Sequence, residues 1–195
     1  MKYAAFFLIA LGASLSTSCV NLEPSPDMTK LYTLGPVSSF EGSEDSGDKK
    51  RIYISRPNLP VYLSGSQLAY READGELKAL GSARWAEPIE EGLSRALAEF
   101  IAAEASDIDV YGYYPWVYPS RDIPKIKLHV YQLSAYIDGR VVLEARWEIS
   151  SSDSESVSGL FRATDLGWSK GDASSLVAAW NEGIRQLAIA VSSEL

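Results

Sequence analysis

Two alternating segments joined by a short turn constrain the fold of this 195-residue chain more than any other feature. Residues 126–137 and 140–150 alternate apolar and polar side chains, which is typical of strands with one buried face. Between them stands Asp138-Gly139, a pair that favours the two-residue type I′ turn of a β-hairpin. The pattern therefore predicts a long antiparallel hairpin.

The turn also fixes the predicted pairing across the hairpin and its two faces. Counting outward from the turn pairs Ile137 with Arg140, Val130 with Trp147, His129 with Glu148 and Leu128 with Ile149. The face predicted to lie in the core is apolar and carries Ile126, Leu128, Val130, Val141, Leu143, Ala145, Trp147 and Ile149. The face predicted to be solvated, or covered by a partner, carries Lys127, His129, Tyr131, Glu144, Arg146 and Glu148.

Two other segments have the apolar spacing of amphipathic helices. The first spans residues 84–103, with Pro88 in its first turn and a stripe of Trp85, Ile89, Leu93, Leu97, Phe100 and Ile101. The second follows Gly171, is capped by Asp172 or Ser174, and has a stripe of Leu176, Val177, Trp180, Ile184, Leu187 and Val191. Further short strands are predicted at residues 31–34, 51–55, 67–71 and 159–164.

These elements predict an α+β fold: a single domain in which a mainly antiparallel sheet carries two long amphipathic helices packed on one face. No internal repeat is evident. The polar, acidic segment 38–50 reads as a solvated loop, to which we assign no role.

The N-terminus has the organisation of a bacterial export signal. Lys2 precedes an apolar run over residues 4–15, which is shorter than the roughly 20 residues needed to span a bilayer. Cys19, the only cysteine, directly follows a stretch of small residues. The sequence before it resembles a lipobox, Leu15-Ser16-Thr17-Ser18-Cys19, with serine three positions before the cysteine. We therefore expect the signal peptide to be cleaved before Cys19 and Cys19 to be acylated. Because Cys19 is the only cysteine, no free thiol would remain.

The expected organisation is a signal peptide at residues 1–18, a lipidated tether at 19–30 and a folded domain at 31–195. A flexible tether of about ten residues reaches roughly 16–19 Å, so the domain should lie close to its membrane. Val20 follows the cysteine where an aspartate would favour retention at the inner membrane. By resemblance to other Gram-negative lipoproteins, we expect the periplasmic face of the outer membrane.

The residues that could perform chemistry are few. The chain has one histidine, and its net charge of −8 argues against nucleic acid as a partner. Residues 167–171 match the G-x-S-x-G pattern, but hydrolases of that type place a histidine after the serine, and none follows Ser169. We predict no catalytic residues, no metal site and no cofactor.

One aromatic-rich run, Tyr111–Pro119, has two interpretations of equal weight. Its rings either cover the sheet edge or form a docking patch, since Tyr and Trp are enriched at binding hot spots. In the second interpretation the partner-binding residues are Tyr113, Tyr114, Trp116 and Tyr118.

Six short motifs, in order, resemble the ABC-type transport auxiliary lipoproteins of the PqiC/YmbA type. They are Tyr32-Thr33-Leu34-Gly35-Pro36, Leu59-Pro60-Val61-Tyr62-Leu63, Leu68-Ala69-Tyr70, Arg84-Trp85-Ala86-Glu87-Pro88, Glu144-Ala145-Arg146-Trp147 and Ala178-Ala179-Trp180. The resemblance implies a non-enzymatic component of an MCE-type intermembrane lipid transport system. Its implied partners are an MCE-domain protein, an inner-membrane permease and further copies of itself.

Two alternative functions remain open at the level of sequence. One is an adaptor lipoprotein for the assembly of outer-membrane proteins or lipopolysaccharide. The other is a lipoprotein that binds a small ligand in its own pocket. The transported lipid, its direction, the oligomer size and the contact surface are not specified by the sequence.

Overall fold

The computed structural model describes residues 27–36, 49–105, 107–116, 118–152 and 155–195. The predicted signal peptide, Cys19, most of the tether and most of the acidic loop lie outside these residues. Within the described part, the strands are β1 (Lys30–Tyr32), β2 (Lys50–Ile54), β3 (Gln67–Arg71), β4 (Leu77–Trp85), β5 (Ile108–Tyr111), β6 (Lys125–Ala135), β7 (Val141–Ser150) and β8 (Val157–Arg162). The helices are α1 (Ile89–Glu104) and α2 (Ala173–Ser192), and Val61–Leu63 forms a short 3₁₀ turn.

The strands form two mixed sheets. The smaller has the order β1-β4-β3, with β1 parallel and β3 antiparallel to β4. The larger has the order β5-β2-β6-β7-β8; β2 is parallel to both of its neighbours, and β6, β7 and β8 are antiparallel. The predicted α+β class and single domain are confirmed, with the strands divided between two sheets.

The two helices pack against each other and against the larger sheet, α1 at β5 and α2 at β7 and β8. The apolar stripe of α2 is buried throughout, which confirms that prediction. The indole rings of Trp85 in β4 and Trp180 in α2 stack at 5.3 Å between centroids. This contact joins the smaller sheet to the helices, so one core serves the whole domain.

The first helix begins later than predicted. Arg84 and Trp85 are the last residues of β4, and α1 starts at Ile89 directly after Pro88. Trp85 is buried, as its place in the stripe required, but it enters the core from a strand. The second helix starts as predicted, because the side chain of Asp172 accepts a hydrogen bond from the Ser174 amide at 2.9 Å.

The hairpin turn differs from the predicted type. A type I′ turn needs positive φ at both central residues, whereas only Gly139 of the pair has it, at +90°. The Gly139 amide donates to the Tyr136 carbonyl at 3.0 Å, and the Tyr136 amide donates to the Arg140 carbonyl at 2.8 Å. The loop therefore has three residues and ends on a left-handed glycine, which moves the pairing by one position.

A β-bulge at Tyr131 moves the pairing by one more position. The predicted pairs were wrong: Trp147 lies opposite Leu128 rather than Val130, and His129 lies opposite Arg146 rather than Glu148. The two shifts add up to two positions, and a shift of two returns each side chain to the face predicted for it. The predicted core face is therefore buried, apart from a half-buried Ile149. The sequence pattern identified the faces correctly and the partners incorrectly.

Candidate docking surface

The aromatic run begins where β5, an edge strand of the larger sheet, comes to an end. Gly112 lies so close to α1 that an added Cβ would stand 3.2 Å from the Cα of Arg95. The next amide, that of Tyr113, donates to the Oγ of the fully buried Ser94 at 2.7 Å. The run is thereby attached to the second turn of α1.

The structure separates the four predicted docking residues into two groups. Tyr114, Trp116 and Tyr118 are exposed by 40%, 74% and 88%, and the rings of Tyr114 and Trp116 stack at 6.2 Å. Tyr113 is half-buried, with the guanidinium of Arg56 at 5.9 Å from its ring centre. We call Tyr114, Trp116 and Tyr118 the aromatic surface; Tyr113 belongs to its support.

Two polar contacts hold this support in place. Arg56 donates to the Oε1 of Glu90, in the first turn of α1, at 2.8 Å. Burial raises the pKa of Glu90, but hydrogen bonds from Arg56 and the backbone, with the guanidinium charge, bring that pKa below its ordinary value. Burial raises the pKa of Tyr53 in β2, an effect partly offset by a hydrogen bond with the backbone of Tyr114. The aromatic surface therefore rests on both α1 and β2.

His129 and the G-x-S-x-G run at residues 167–171 make contacts that hold the fold together. The rings of His129 and Tyr131 lie edge to face with their centroids 4.7 Å apart, and Glu148, the predicted partner of His129, pairs with Lys127. In the G-x-S-x-G run, Trp168 is buried and its Nε1 donates to the Tyr136 carbonyl at 2.9 Å. The run thus packs the hairpin turn against the start of α2.

The backbone of Ser169 takes part in the same turn. Its carbonyl accepts from the Asp172 amide at 2.9 Å, and its amide donates to Ser175 Oγ at 2.9 Å. Among the described residues, no group of three His, Cys, Asp or Glu side chains is arranged to hold a metal ion. No helix in that part of the chain is long and apolar enough to cross a bilayer.

Sequence reasoning missed how the segment after β1 is attached to the helices. The Asn181 side chain in α2 accepts from the Gly35 amide and donates to the Gly35 carbonyl, both at 2.9 Å. Arg95 in α1 donates to the Leu34 carbonyl at 2.8 Å, and its guanidinium also pairs with Glu87 at 2.5 Å. No local pattern predicts these contacts, because Asn181 and Gly35 are 146 positions apart.

One interior cavity among the described residues is too small for a ligand. A cavity lined by Tyr62, Leu63, Leu133, Trp85 and Trp180, among others, has a volume of about 20 Å³. That volume accommodates about one water molecule. Larger clefts among the described residues are open to the surface, such as one of about 410 Å³ beside His129 and Arg146.

Solved structures share this α+β architecture. A crystal structure of an uncharacterized protein is 18% identical, with a TM-score of 0.68 over 85% of this chain and 98% of that one. Protein XCC0632 from Xanthomonas campestris, a DUF330 protein, is 16% identical, with a TM-score of 0.61 over 84% of this chain and 93% of that one. At these identities the likeness establishes the fold alone.

The family is established by a sequence match that covers most of the folded domain. The model of the ABC-type transport auxiliary lipoprotein component family matches residues 32–192. The chain belongs to this family, which confirms the resemblance drawn from its motifs. No match was found among curated proteins.

Proposed function

We propose that this protein is a non-catalytic, outer-membrane-anchored periplasmic lipoprotein that serves an MCE/ABC-type intermembrane lipid transport system. Cys19 carries the acyl chains, and the domain docks the periplasmic conduit at the outer membrane. The partners are the MCE-domain protein of the system, its inner-membrane permease and further copies of this chain.

The observation that carries the docking role is the aromatic surface. Tryptophan and tyrosine are enriched at interface hot spots. Trp116 and Tyr118 leave most of their side chains in solvent, while Tyr113 and Tyr114, just before them, are hydrogen-bonded to α1 and β2. Pre-organisation of this kind lowers the entropy lost on binding.

A non-catalytic role is part of the proposal and rests on the family and on the surroundings of two candidate residues. His129 has the ring of Tyr131 beside it and Arg146 opposite it, and among the described residues no ion pair joins it to a carboxylate. Ser169 is followed in sequence by no histidine, and its backbone groups contribute to the turn before α2. Transport energy would come from the ABC-type partner.

The test combines capture with a native mass measurement on the full-length, lipidated protein in mild detergent. The double variant Trp116→Ala/Tyr118→Ala should keep the fold and the acylation while losing capture of the MCE protein. The matched control is Tyr131→Ala/Leu160→Ala, which also removes one exposed aromatic and a second exposed large side chain, from β6 and β8. The control should bind as the wild type does.

Trp116 also provides a direct optical signal. The other four tryptophans, Trp85, Trp147, Trp168 and Trp180, are buried, so acrylamide quenching reports mainly on Trp116. Addition of the MCE protein should protect this fluorescence from acrylamide. A strictly monomeric protein that captures no MCE protein and shows no such protection would contradict the proposal.

A further inference from the structure

An open cleft lies on the exposed face of the larger sheet. Along β6 and β7, Lys127, His129 and Arg146 belong to this face, while the residues that alternate with them point into the core. The cleft has a volume of about 410 Å³ and is also lined by Arg56 and Asn58, which follow β2. Its volume lies within the range of small-molecule binding sites. The docking role proposed above does not use it.

Three of the lining residues form one row across the sheet. The Asn58 amide donates to the Leu128 carbonyl and the Asn58 carbonyl accepts from the Val130 amide, both at 2.9 Å, so Asn58 pairs with His129. On the other side of β6, His129 lies opposite Arg146. Side chains paired in this way share a face of the sheet, with Cβ atoms about 4.5–5.5 Å apart. The cleft therefore presents an amide, an imidazole and a guanidinium side by side.

The other charged groups of the cleft are paired, which leaves one cation over. Among the residues that line it, all in the described part of the chain, Glu148 is the one carboxylate, and it lies 2.8 Å from Lys127 Nζ. Arg56 is paired with a carboxylate of α1. The guanidinium of Arg146 donates to Ser158 Oγ at 2.9 Å, and no carboxylate of the described residues pairs with it.

Arg146 and its two neighbours in the row suit an anion with several oxygens. A guanidinium presents its N–H donors as a planar fork that matches phosphate oxygens, and imidazole and amide side chains add further donors. The edge-to-face contact between the rings of His129 and Tyr131 restricts the imidazole beside Arg146. Because the chain has a net charge of −8, this group of donors can attract an anion that the surface as a whole repels.

A second cleft, of about 400 Å³, adjoins the first and shares Arg56 and Asn58 with it. It also contains Glu90, whose carboxylate is the one paired with Arg56. Four of its lining residues are apolar: Pro57, Leu59, Pro60 and Val61. Val61 is 86% exposed. Polar donors in one cleft and apolar side chains in the next match a ligand that is itself amphipathic.

We propose that the two clefts form a phospholipid-binding site, in which Arg146, His129 and Asn58 hold the phosphate group and residues 57–61 contact the apolar part. Lipid headgroups and soluble phosphate esters share the phosphate chemistry, and the apolar side chains select the lipid. The site is separate from the aromatic surface, and it adds to the proposed docking role a contact with the lipid itself.

Native mass spectrometry of the full-length, lipidated protein in a mild non-ionic detergent tests the site with three probes. Dioleoylphosphatidylglycerol has a phosphate and acyl chains, dioleoylglycerol has the chains alone, and glycerol phosphate has the phosphate alone. The wild type should bind the first and, at the same concentration, neither of the others. Equally strong binding of glycerol phosphate would refute the apolar contact, and equally strong binding of dioleoylglycerol would refute the phosphate contact.

Arg146→Gln removes the guanidinium from an exposed position, so it should keep the fold and weaken lipid binding roughly 10-fold or more, as expected for hydrogen bonds to a charged group. Arg146→Lys keeps the charge but loses the fork, and its affinity should be intermediate. The matched control is Arg162→Gln, which removes the same charge from β8 on the same face of the sheet, outside the residues that line either cleft. The control should bind as the wild type does.

Equal losses in Arg146→Gln and Arg162→Gln would show that binding follows surface charge, and this result would overturn the proposal, as would a wild type that binds no lipid. Urea unfolding verifies that each variant is folded. Capture of the MCE protein is measured separately. A wild type that binds the lipid but captures no MCE protein refutes the docking role alone, and the converse result refutes the lipid site alone.

Discussion

The side-chain amide of Asn181 satisfies both backbone groups of Gly35, and its removal tests how the segment after β1 is held. Its Oδ1 accepts from the Gly35 amide at 2.9 Å and its Nδ2 donates to the Gly35 carbonyl at 2.9 Å. Both hydrogen bonds are partly buried. Asn181→Ala leaves the amide and the carbonyl without this partner, and water reaches the site poorly.

The expected loss follows from two hydrogen bonds. Each contributes a net 0.5–1.5 kcal/mol to typical proteins, so the free energy of unfolding should fall by about 1–3 kcal/mol. In a domain of this size, a loss of about 2 kcal/mol lowers the melting temperature by roughly 4–8 °C.

The same helix contains a matched control. Gln186 forms the same pair of contacts with the backbone of Thr164, at 3.0 and 3.2 Å, but at an exposed position. Water can replace an exposed amide, so Gln186→Ala should cost about 0.5 kcal/mol or less. Gln186→Ala also removes a hydrogen bond from Gln186 Nε2 to Glu182 Oε1 at 3.1 Å; apart from it, the two variants differ mainly in the burial of the groups left behind.

Urea unfolding followed by tryptophan fluorescence measures both variants, since Trp180 lies next to Asn181 in the core. Hydrogen exchange at Gly35 should also accelerate in Asn181→Ala. Equal losses in the two variants, or a loss below about 0.5 kcal/mol for Asn181→Ala, would refute the argument that burial of the contact sets its value.

Three further outcomes are expected. Trp147→Ala should lower the free energy of unfolding by about 3–5 kcal/mol in urea titrations, because the ring is buried; a loss under about 1 kcal/mol would contradict its core position. Cys19→Ala should release the protein from membranes, as fractionation would show, and the same processing with continued outer-membrane fractionation would contradict the anchor. The Arg56 pair lowers the pKa of Glu90, so the pair stabilises the fold above the ordinary pKa of a glutamate, and this contribution is lost as the pH falls through the lowered pKa. The difference in stability between wild type and Arg56→Ala should therefore shrink in acid, and a difference that does not change with pH would refute the pairing.

The hairpin shows which part of a fold alternation can predict. Burial of every second side chain identified the core face from Ile126 to Val130 and from Val141 to Trp147. The pairing depended on a bulge at Tyr131 and on a three-residue turn, and neither has a clear local signal here. Asp138-Gly139 is compatible with more than one turn, and contacts elsewhere in the domain select among them.

The strand β4 shows where helical spacing misleads. Trp85 and Ile89 are four residues apart and both are buried, so the pattern joined a strand end to the following helix. Pro88 marked the true boundary, because the residue before a proline is disfavoured in the α conformation. The rest of β4 contains Gly81 and several small residues and resembles a loop in sequence.

The sequence identified the aromatic residues of the candidate site but not how they are arranged. The run of aromatic residues singled out Tyr113, Tyr114, Trp116 and Tyr118 together. Tyr113 is half-buried, and its amide donates a hydrogen bond to the Oγ of Ser94 in α1. Sequence spacing contains no information about a contact between two elements. It could therefore not distinguish Tyr113, which supports the aromatic surface, from the three residues that form it.

A docking lipoprotein must hold two points at a fixed separation, the anchor and the contact with its partner. Under the proposed function, the described part of the path between them runs along β1 and through Arg95 to α1, which supports the aromatic surface. Partly buried ion pairs such as Arg95–Glu87 add little net stability, because desolvation offsets much of their attraction. Such pairs do fix the direction and the distance between the groups they join, and here the guanidinium that pairs with Glu87 also donates to the Leu34 carbonyl, in the segment after β1. Apolar packing alone would leave that geometry less defined. Under the proposed function, the polar contacts to Leu34 and Gly35 would thus serve to orient the domain on its tether.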